Sequence, residues 1–157
     1  MANSKKQIRI VIGKVGCDIH EGGIYTLMQA FRDEGMEVVY TGRYQTPETV
    51  VKTAIEESAH VIALSDHTGS MRYIAADVMA ALKKYKADNI SVVAGGLIPP
   101  QDIPILEKMG VTGNYGPGAP LDVIVNHVIG RVEKAAQNPS NKGKTDYAKQ
   151  VSSHPRV

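Results

Sequence analysis

The sequence predicts an α/β fold in which a doubly wound, five-stranded parallel sheet carries helices on both faces. Short apolar segments alternate five times with longer segments whose apolar residues recur at helical spacing. The strand-like segments are apolar throughout, as in parallel strands that are covered on both faces. The chain has 157 residues, which suits one domain with a substantial core.

Each predicted element has its own local pattern. The strands are apolar runs between polar or glycine-containing segments, at 8–12, 37–40, 61–64, 90–94 and 111–115. The helices follow them in turn, at 24–34, 46–58, 71–85, 101–109 and 121–136. Five such units favour the strand order 2-1-3-4-5 of flavodoxin-like (Rossmann-like) sheets, because the Rossmann order normally includes a sixth strand.

Specific residues mark the boundaries of these elements in chain order. Gly35 suits the C-terminal end of the first helix. Thr46 is a good N-cap for the second helix, and Pro47 suits its first position. A polar loop of small residues, 65–70, separates the third strand from its helix, and a Gly-Gly pair at 95–96 closes the fourth strand.

Charge and composition limit the expected partners and location. Eighteen basic residues against sixteen acidic ones give a formal charge of +2, so nothing indicates a nucleic-acid or membrane partner. The single cysteine, Cys17, excludes an internal disulfide framework. Neither a signal peptide nor a bilayer-length apolar run is present in the sequence, so we expect a cytoplasmic protein. We predict one domain over 1–137 and a disordered, weakly basic tail over 138–157.

Two loops of this sheet are expected to meet at its ligand-binding edge. In an open α/β sheet, ligands bind beyond the carboxyl ends of the strands at the topological switch point, here between strands one and three. The loops that follow these strands, 13–23 and 65–70, concentrate small and titratable residues, including His20 and His67. The first loop matches neither the G-x-G-x-x-G pattern nor a P-loop, which argues against nucleotide binding there.

The remaining feature of the first loop is the pattern Asp18-x-His20-x-x-Gly23. A neutral imidazole can bind a metal through one nitrogen while the other donates to a carboxylate that fixes the tautomer. One histidine cannot hold a free ion, since zinc sites use three or four ligands. A metal at His20 must therefore arrive with most of its coordination filled, as in a corrin ring. The alternative is a loop histidine that merely hydrogen-bonds Asp18, and this short pattern alone leaves both open.

Three further motifs follow later strands in order, namely QTPE at 45–48, AGGLIPPQD at 94–102 and YGPG at 115–118. Together with the first motif, they make the chain resemble the cobalamin-binding domain of adenosylcobalamin-dependent mutases. The resemblance is closest to the small domain or subunit of methylmalonyl-CoA-type mutases, and it covers about residues 7–133.

This resemblance implies a role for each matching residue. His20 would be the lower axial ligand to cobalt in place of the cofactor's own dimethylbenzimidazole, and Asp18 would accept the other imidazole N–H. Gly23 would permit the turn. The displaced base and its nucleotide arm would enter a slot between the sheet and its helices, with Ser65 facing the base. The other implied slot residues are Gly95, Gly96, Tyr115, Gly116 and Gly118, although each glycine has the alternative role of an ordinary turn residue.

The loop after the third strand departs from the family pattern. That pattern is usually Ser-x-Leu, whereas this chain has Ser65-Asp66-His67. His67 is a polar side chain that can be a rival ligand, bond the nucleotide arm or face solvent, and these interpretations stay open. We include His67 and Gly69 among the candidate cofactor-binding residues.

The function that the resemblance implies is that of an adenosylcobalamin-binding subunit of an acyl-CoA carbon-skeleton mutase. It would bind the cofactor base-off/His-on and present it to a separate large subunit with a TIM-barrel substrate chamber, so the chain alone would be inactive.

Three alternatives to this function stay open. One is a corrinoid methyl-carrier protein of a methyltransferase, although carriers usually have a helical domain before the sheet. A second is a non-catalytic B12-binding module. A third is a receiver domain, which needs an Asp at the end of strand three, where this chain has Ser65 followed by Asp66.

Overall fold

The computed structural model describes residues 7–141, which contain one five-stranded parallel sheet in the order β2-β1-β3-β4-β5. The strands are β1 (Arg9–Gly13), β2 (Glu37–Tyr40), β3 (Val61–Asp66), β4 (Ser91–Gly96) and β5 (Thr112–Tyr115). The helices are α1 (Gly22–Asp33), α2 (Pro47–Glu56), α3 (Met71–Lys84), α4 (Ile103–Lys108) and α5 (Leu121–Gln137). The predicted fold class, strand order and alternation of elements are therefore confirmed.

Successive strand side chains point to opposite sides of the sheet. Because the strands are apolar throughout, both faces are apolar, and helices cover both. On one face, buried residues of β1, β3 and β4 pack against α2, α3 and α4, with Val11, Ile62 and Val92 among them. On the other face, Ile12 and Ala63 belong to a cluster with the buried sides of α1 and α5. The apolar strands of the sequence are thus explained by burial on two sides.

The second helix begins where its sequence signals place it. The Thr46 hydroxyl oxygen accepts the Thr49 backbone N–H at 3.1 Å, and the Thr49 hydroxyl oxygen accepts the Thr46 backbone N–H at 3.0 Å. Pro47, the first residue of α2, has no N–H that needs a partner. This reciprocal cap satisfies two backbone N–H groups at the start of α2, directly after the loop that borders the predicted ligand-binding edge.

The third strand is longer than predicted. It continues through Ser65 and Asp66, which pair with Gly95 and Gly96 of β4. Its end is then closed by the Asp66 carboxylate, which accepts the Ser70 backbone N–H at 2.8 Å and so caps the loop before α3. Because Ser65 and Asp66 are polar, the sequence pattern did not indicate that they pair with β4.

The last helix, α5, ends at Gln137, and the domain boundary at 137 stays a prediction. Of the predicted tail, Pro139–Asn141 forms a single 3-10 turn, and 142–157 lies outside the described residues, so its disorder stays a prediction. In the described part of the chain, no helix has the length and apolar character needed to cross a membrane.

Candidate functional site

An imidazole held by a carboxylate lies at the carboxyl edge of the sheet. The His20 side chain is 67% exposed, whereas Asp18 is buried. His20 Nδ1 lies 2.6 Å from Asp18 Oδ1, which also accepts the His20 backbone N–H at 3.1 Å. Because Nδ1 is engaged, Nε2 is the ring nitrogen left for a ligand, and the ring cannot turn without losing its bond to Asp18.

The other oxygen of Asp18 is held from two directions. Lys14 Nζ, at the end of a fully buried side chain, lies 2.5 Å from Asp18 Oδ2. The backbone N–H of His67 donates to the same oxygen at 2.8 Å, which ties the loop after β3 to the loop after β1. Lys14 was not predicted from the sequence as a site residue. The sequence offered little signal, since a spacing of four residues brings two side chains together on a helix, whereas Lys14 and Asp18 lie in a loop.

These contacts set the charge of Asp18. Burial by itself raises the pKa of this carboxyl group, but the bonds from Lys14, His20 and the His67 N–H outweigh burial and hold the pKa well below its ordinary value. Asp18 is therefore a carboxylate at neutral pH. As an anion, Asp18 accepts a hydrogen bond from the protonated Nδ1 of His20, and this bond makes Nε2 a more basic ligand.

The loop that carries Asp18 and His20 is anchored on its far side to β2 and the segment after it. The Gly16 backbone N–H donates to the Gln45 carbonyl oxygen at 3.0 Å. Beyond His20, the Glu21 carboxylate accepts the Tyr40 hydroxyl at 2.6 Å and pairs with Arg43 Nε at 3.1 Å. Burial and the neighbouring Glu21 both raise the pKa of Tyr40, so its hydroxyl stays a donor. The imidazole is thus fixed by contacts on both sides of its loop.

A cavity of about 360 Å³ opens beside this imidazole, between the sheet and helices α1 and α5. Eight predicted site residues line it: Gly23, Ser65, His67, Gly95, Gly96, Tyr115, Gly116 and Gly118. The His20 ring lies outside the cavity, 5.5 Å from the ring of His67, which is part of its wall. Gly69 does not line the cavity; it lies in the turn before α3.

The interior of this cavity, called the slot below, is mainly apolar. Its inner wall is formed by side chains of β1, β4, α1 and α5, among them Ile12, Leu27, Phe31, Val93, Ile124 and Val128. Two polar side chains that the sequence analysis did not assign to the slot, Thr26 and His127, also line it. Its volume lies in the range of small-molecule sites, and its lining suits a largely apolar group.

The glycines of the site differ in backbone conformation and in the space that a side chain would have. The predicted turn at Gly23 is not seen, because Gly23 is the second residue of α1 and the positive φ in this loop belongs to Gly16, at +83°. A Cβ at Gly23 would meet nothing within 4 Å. At Gly96 a Cβ would lie 2.0 Å from the Asp66 carbonyl oxygen, and φ is +122°. Gly96 is therefore required by strand packing, whereas Gly23 leaves open space beside the slot.

The sequence is similar to known proteins over most of its length. The family model described as "B12 binding domain" matches residues 8–123. The chain is 34% identical over 121 residues to the 2-hydroxyisobutanoyl-CoA mutase small subunit of Aquincola tertiaricarbonis, covering 77% of this chain and 89% of that one. It is 35% identical over 130 residues to the pivalyl-CoA mutase small subunit of Xanthobacter autotrophicus, covering 83% and 87%.

A longer relative matches over one part only. The chain is 34% identical over 134 residues to methylmalonyl-CoA mutase of Escherichia coli, which covers 85% of this chain but 19% of that protein. The chain therefore spans about a fifth of the length of this mutase and most of the length of the two small subunits.

Solved structures confirm the fold alone. A cobalamin-binding protein from Desulfitobacterium hafniense superposes with a TM-score of 0.67 at 19% identity, over 80% of this chain and 60% of that one. A signal receiver domain from Vibrio parahaemolyticus superposes with a TM-score of 0.63 at 14% identity, over 83% and 93%. Since one fold serves both classes, the sequence match decides between them. The chain belongs to the B12-binding domain family, and cobalamin is its cofactor.

Proposed function

We propose that this chain is the cobalamin-binding subunit of an adenosylcobalamin-dependent acyl-CoA carbon-skeleton mutase, and that it binds the cofactor base-off with His20 as the lower axial ligand. The observation that carries the proposal is the exposed imidazole of His20, held through Nδ1 by Asp18 beside an apolar slot. The names of the small-subunit relatives supply the reaction class.

The residues fit a corrinoid in two respects. First, His20 offers one nitrogen to cobalt, and the buried partners Asp18 and Lys14 keep that nitrogen aimed and basic. Second, the slot beside it has the volume and apolar lining for a displaced aromatic base, with Ser65 in its wall. When bound, adenosylcobalamin supplies radical chemistry through its cobalt–carbon bond, while the protein orients it and excludes water.

The receiver-domain alternative loses its chemical basis at Asp66. Receiver chemistry needs a reachable carboxylate at the end of β3, but Asp66 is 1% exposed. One of its oxygens accepts the Thr68 hydroxyl at 2.7 Å and the other accepts the Ser70 backbone N–H at 2.8 Å. A phosphoryl donor therefore has no access to this side chain.

A collar of exposed apolar side chains around the site supports docking to a larger catalytic subunit. The collar residues lie on loops or first helical turns at the carboxyl edge of the sheet, and they are Ile19, Tyr25, Tyr44, Tyr73, Leu97 and Leu121. Exposed apolar groups that rim a ligand site are typical of surfaces that another protein covers. We assign this collar to the large subunit, whose TIM-barrel chamber would close over the upper face of the cofactor and hold the acyl-CoA substrate.

The test of the proposal is a spectroscopic titration of the purified chain with adenosylcobalamin. We expect a base-off absorption spectrum, and hyperfine coupling from one protein nitrogen in the electron paramagnetic resonance spectrum of bound cob(II)alamin. His20→Ala should abolish the coupling and weaken binding at least about 10-fold, the lower end of what loss of an outer-shell partner costs a metal site. His60→Gln, directly before the amino end of β3, is the control and should keep the base-off spectrum and the nitrogen coupling. An unchanged coupling in His20→Ala would remove His20 from the ligand role.

A second prediction concerns the open space at Gly23. Gly23→Leu should fill part of the slot and weaken cobalamin binding by about 10-fold, the order expected when a fitted site is overpacked. The free energy of unfolding should stay the same or rise slightly, because position 23 lies in helix α1 and nothing contacts the new Cβ. Gly22→Leu, one residue earlier and outside the slot lining, is the matched control for affinity. Equal affinities of the two variants would contradict the assignment of the slot.

A third prediction concerns the collar. The double variant Tyr44→Ser, Tyr73→Ser should weaken binding of the large subunit by at least about 10-fold, since aromatic residues dominate such interfaces, and should leave cobalamin binding intact. The large mutase subunit is first recovered with the tagged chain from the source organism and purified. Its binding to each variant is then measured by surface plasmon resonance. Ile55→Ser, at the opposite end of the sheet, is the control. Recovery of a methyltransferase in place of a mutase subunit would favour the carrier alternative.

A further inference from the structure

His127 is a titratable side chain of the slot that the proposed ligand role does not use. It lies on α5, is half-buried and forms part of the slot wall with Tyr115. Its Nε2 lies 2.9 Å from the hydroxyl oxygen of Thr112, the first residue of β5. Its ring also meets Tyr115, the last residue of β5, edge to face at 5.6 Å. The imidazole is therefore fixed beside β5 between the two ends of the strand.

The contacts of His127 leave one ring nitrogen for a ligand. Burial, and after it the charge of Arg131 one turn further along α5, lower the pKa of His127, so the ring is neutral at physiological pH. Among the described residues, no hydrogen bond is made by Nδ1. If Thr112 donates to Nε2, then Nδ1 is a donor; if Thr112 accepts from Nε2, then Nδ1 is an acceptor.

The slot that His127 lines makes this ring nitrogen important for selectivity. Most side chains of the inner slot wall are apolar, including Phe31, Val93 and Val128. A base with a polar edge that enters such a slot loses its hydrogen bonds to water and needs a replacement. The benzo ring of dimethylbenzimidazole carries only C–H and methyl groups on its outer edge and needs none. A purine such as adenine offers both donors and acceptors there, so it can pair with Nδ1 in either tautomer.

We infer that His127 is a specificity-determining residue of the slot, where it hydrogen-bonds the polar edge of the cofactor's lower base and lets the chain accept purine-containing corrinoids as well as dimethylbenzimidazole cobalamin. The inference rests on the proposed function, since it assumes that the displaced base enters the slot. It extends that function by naming the class of corrinoid that the chain accepts.

The experiment compares two corrinoids that differ only in the lower base, cobalamin and its adenine counterpart. The full chain is titrated with each, and the dissociation constant is read from the shift to the base-off spectrum. We expect wild type to bind both. His127→Leu should weaken binding of the adenine form by about 10-fold more than binding of cobalamin, the order that one lost hydrogen bond represents. His127→Gln keeps a polar edge and should restore the adenine form to within about 3-fold of wild type.

The outcomes separate the inference from the proposed function. If wild type and His127→Leu show the same ratio of the two affinities, His127 does not read the base, although the slot still holds it. If His127→Leu weakens both corrinoids equally, His127 acts by shaping the slot, and the inference is also wrong. If wild type binds neither corrinoid base-off, the proposed function fails, and the inference fails with it. Thermal unfolding of each variant verifies that the chain stays folded.

Discussion

Lys14→Met is expected to lower the free energy of unfolding by about 3–5 kcal/mol, the cost of removing one partner from a buried ion pair. The Lys14 side chain is fully buried, and its ammonium group is the only cation of a lysine or arginine that pairs with the Asp18 carboxylate within the described residues. Methionine fills much of the same volume but leaves the buried carboxylate without that counter-charge. Urea denaturation of the cofactor-free chain measures the loss.

Two further variants make this prediction specific. Adding Asp18→Asn to Lys14→Met should recover much of the lost stability, because no buried charge is then left unpaired. Lys52→Met is the matched control: its ammonium group pairs with Glu48 on the surface, and exposed pairs are worth about 0–1 kcal/mol. If Lys14→Met costs no more than Lys52→Met, the buried pair does not stabilise the fold.

The loss should depend on pH in a defined direction. In the wild type, the pKa of Asp18 lies below its ordinary value of 3.8, so its stabilising contribution is complete above that pH and disappears as the pH falls. In Lys14→Met, loss of the cation raises the pKa of the buried Asp18, and protonation relieves the unpaired charge. The stability difference between the two proteins should therefore be largest near pH 7 and shrink toward pH 4.

The sequence was sufficient for the fold because each element has a local cause. Apolar runs buried on two faces identify parallel strands, and Thr46 with Pro47 identifies the start of α2. The strand order followed from the number of βα units. What local signals could not supply was the pairing of Ser65 and Asp66 with β4, since polar residues at a strand end look like loop until the neighbouring strand is known.

The site was predicted less completely, for a physical reason. The Asp18–His20 contact spans two residues and is visible as a motif, whereas the His67 N–H reaches Asp18 across 49 positions of the chain. Such a contact depends on the adjacency of β1 and β3. Likewise, His127 has the ordinary pattern of a helical residue, and its place in the slot follows only from the packing of α5 on the sheet. The Asp18–His20 contact is therefore readable from the sequence as a motif, whereas contacts between loops require the fold.

Gly96→Ala is expected to lower the free energy of unfolding by about 3 kcal/mol or more, since it combines backbone strain with overpacking. Gly96 has a φ of +122°, a value that side chains disfavour, and its new Cβ would lie 2.0 Å from the Asp66 carbonyl oxygen. To relieve this contact the ends of β3 and β4 must separate, which also weakens the 2.9 Å hydrogen bond from the Leu97 backbone N–H to that oxygen. Gly130→Ala, on the exposed side of α5, is the control and should raise stability by about 0.5–1 kcal/mol.

This expected cost changes how binding data on the slot glycines must be interpreted. A Gly96 variant that fails to bind cobalamin would report a distorted sheet edge and would say nothing about contact with the cofactor. Gly116→Ala is the informative change, because Gly116 also lines the slot, has no positive φ and would place its Cβ in open space. We expect Gly116→Ala to unfold at the wild-type temperature within about 2 °C, the shift of a change worth less than half a kcal/mol. Calorimetry checks this, and any loss of cobalamin affinity in that folded variant then measures contact between the slot and its ligand.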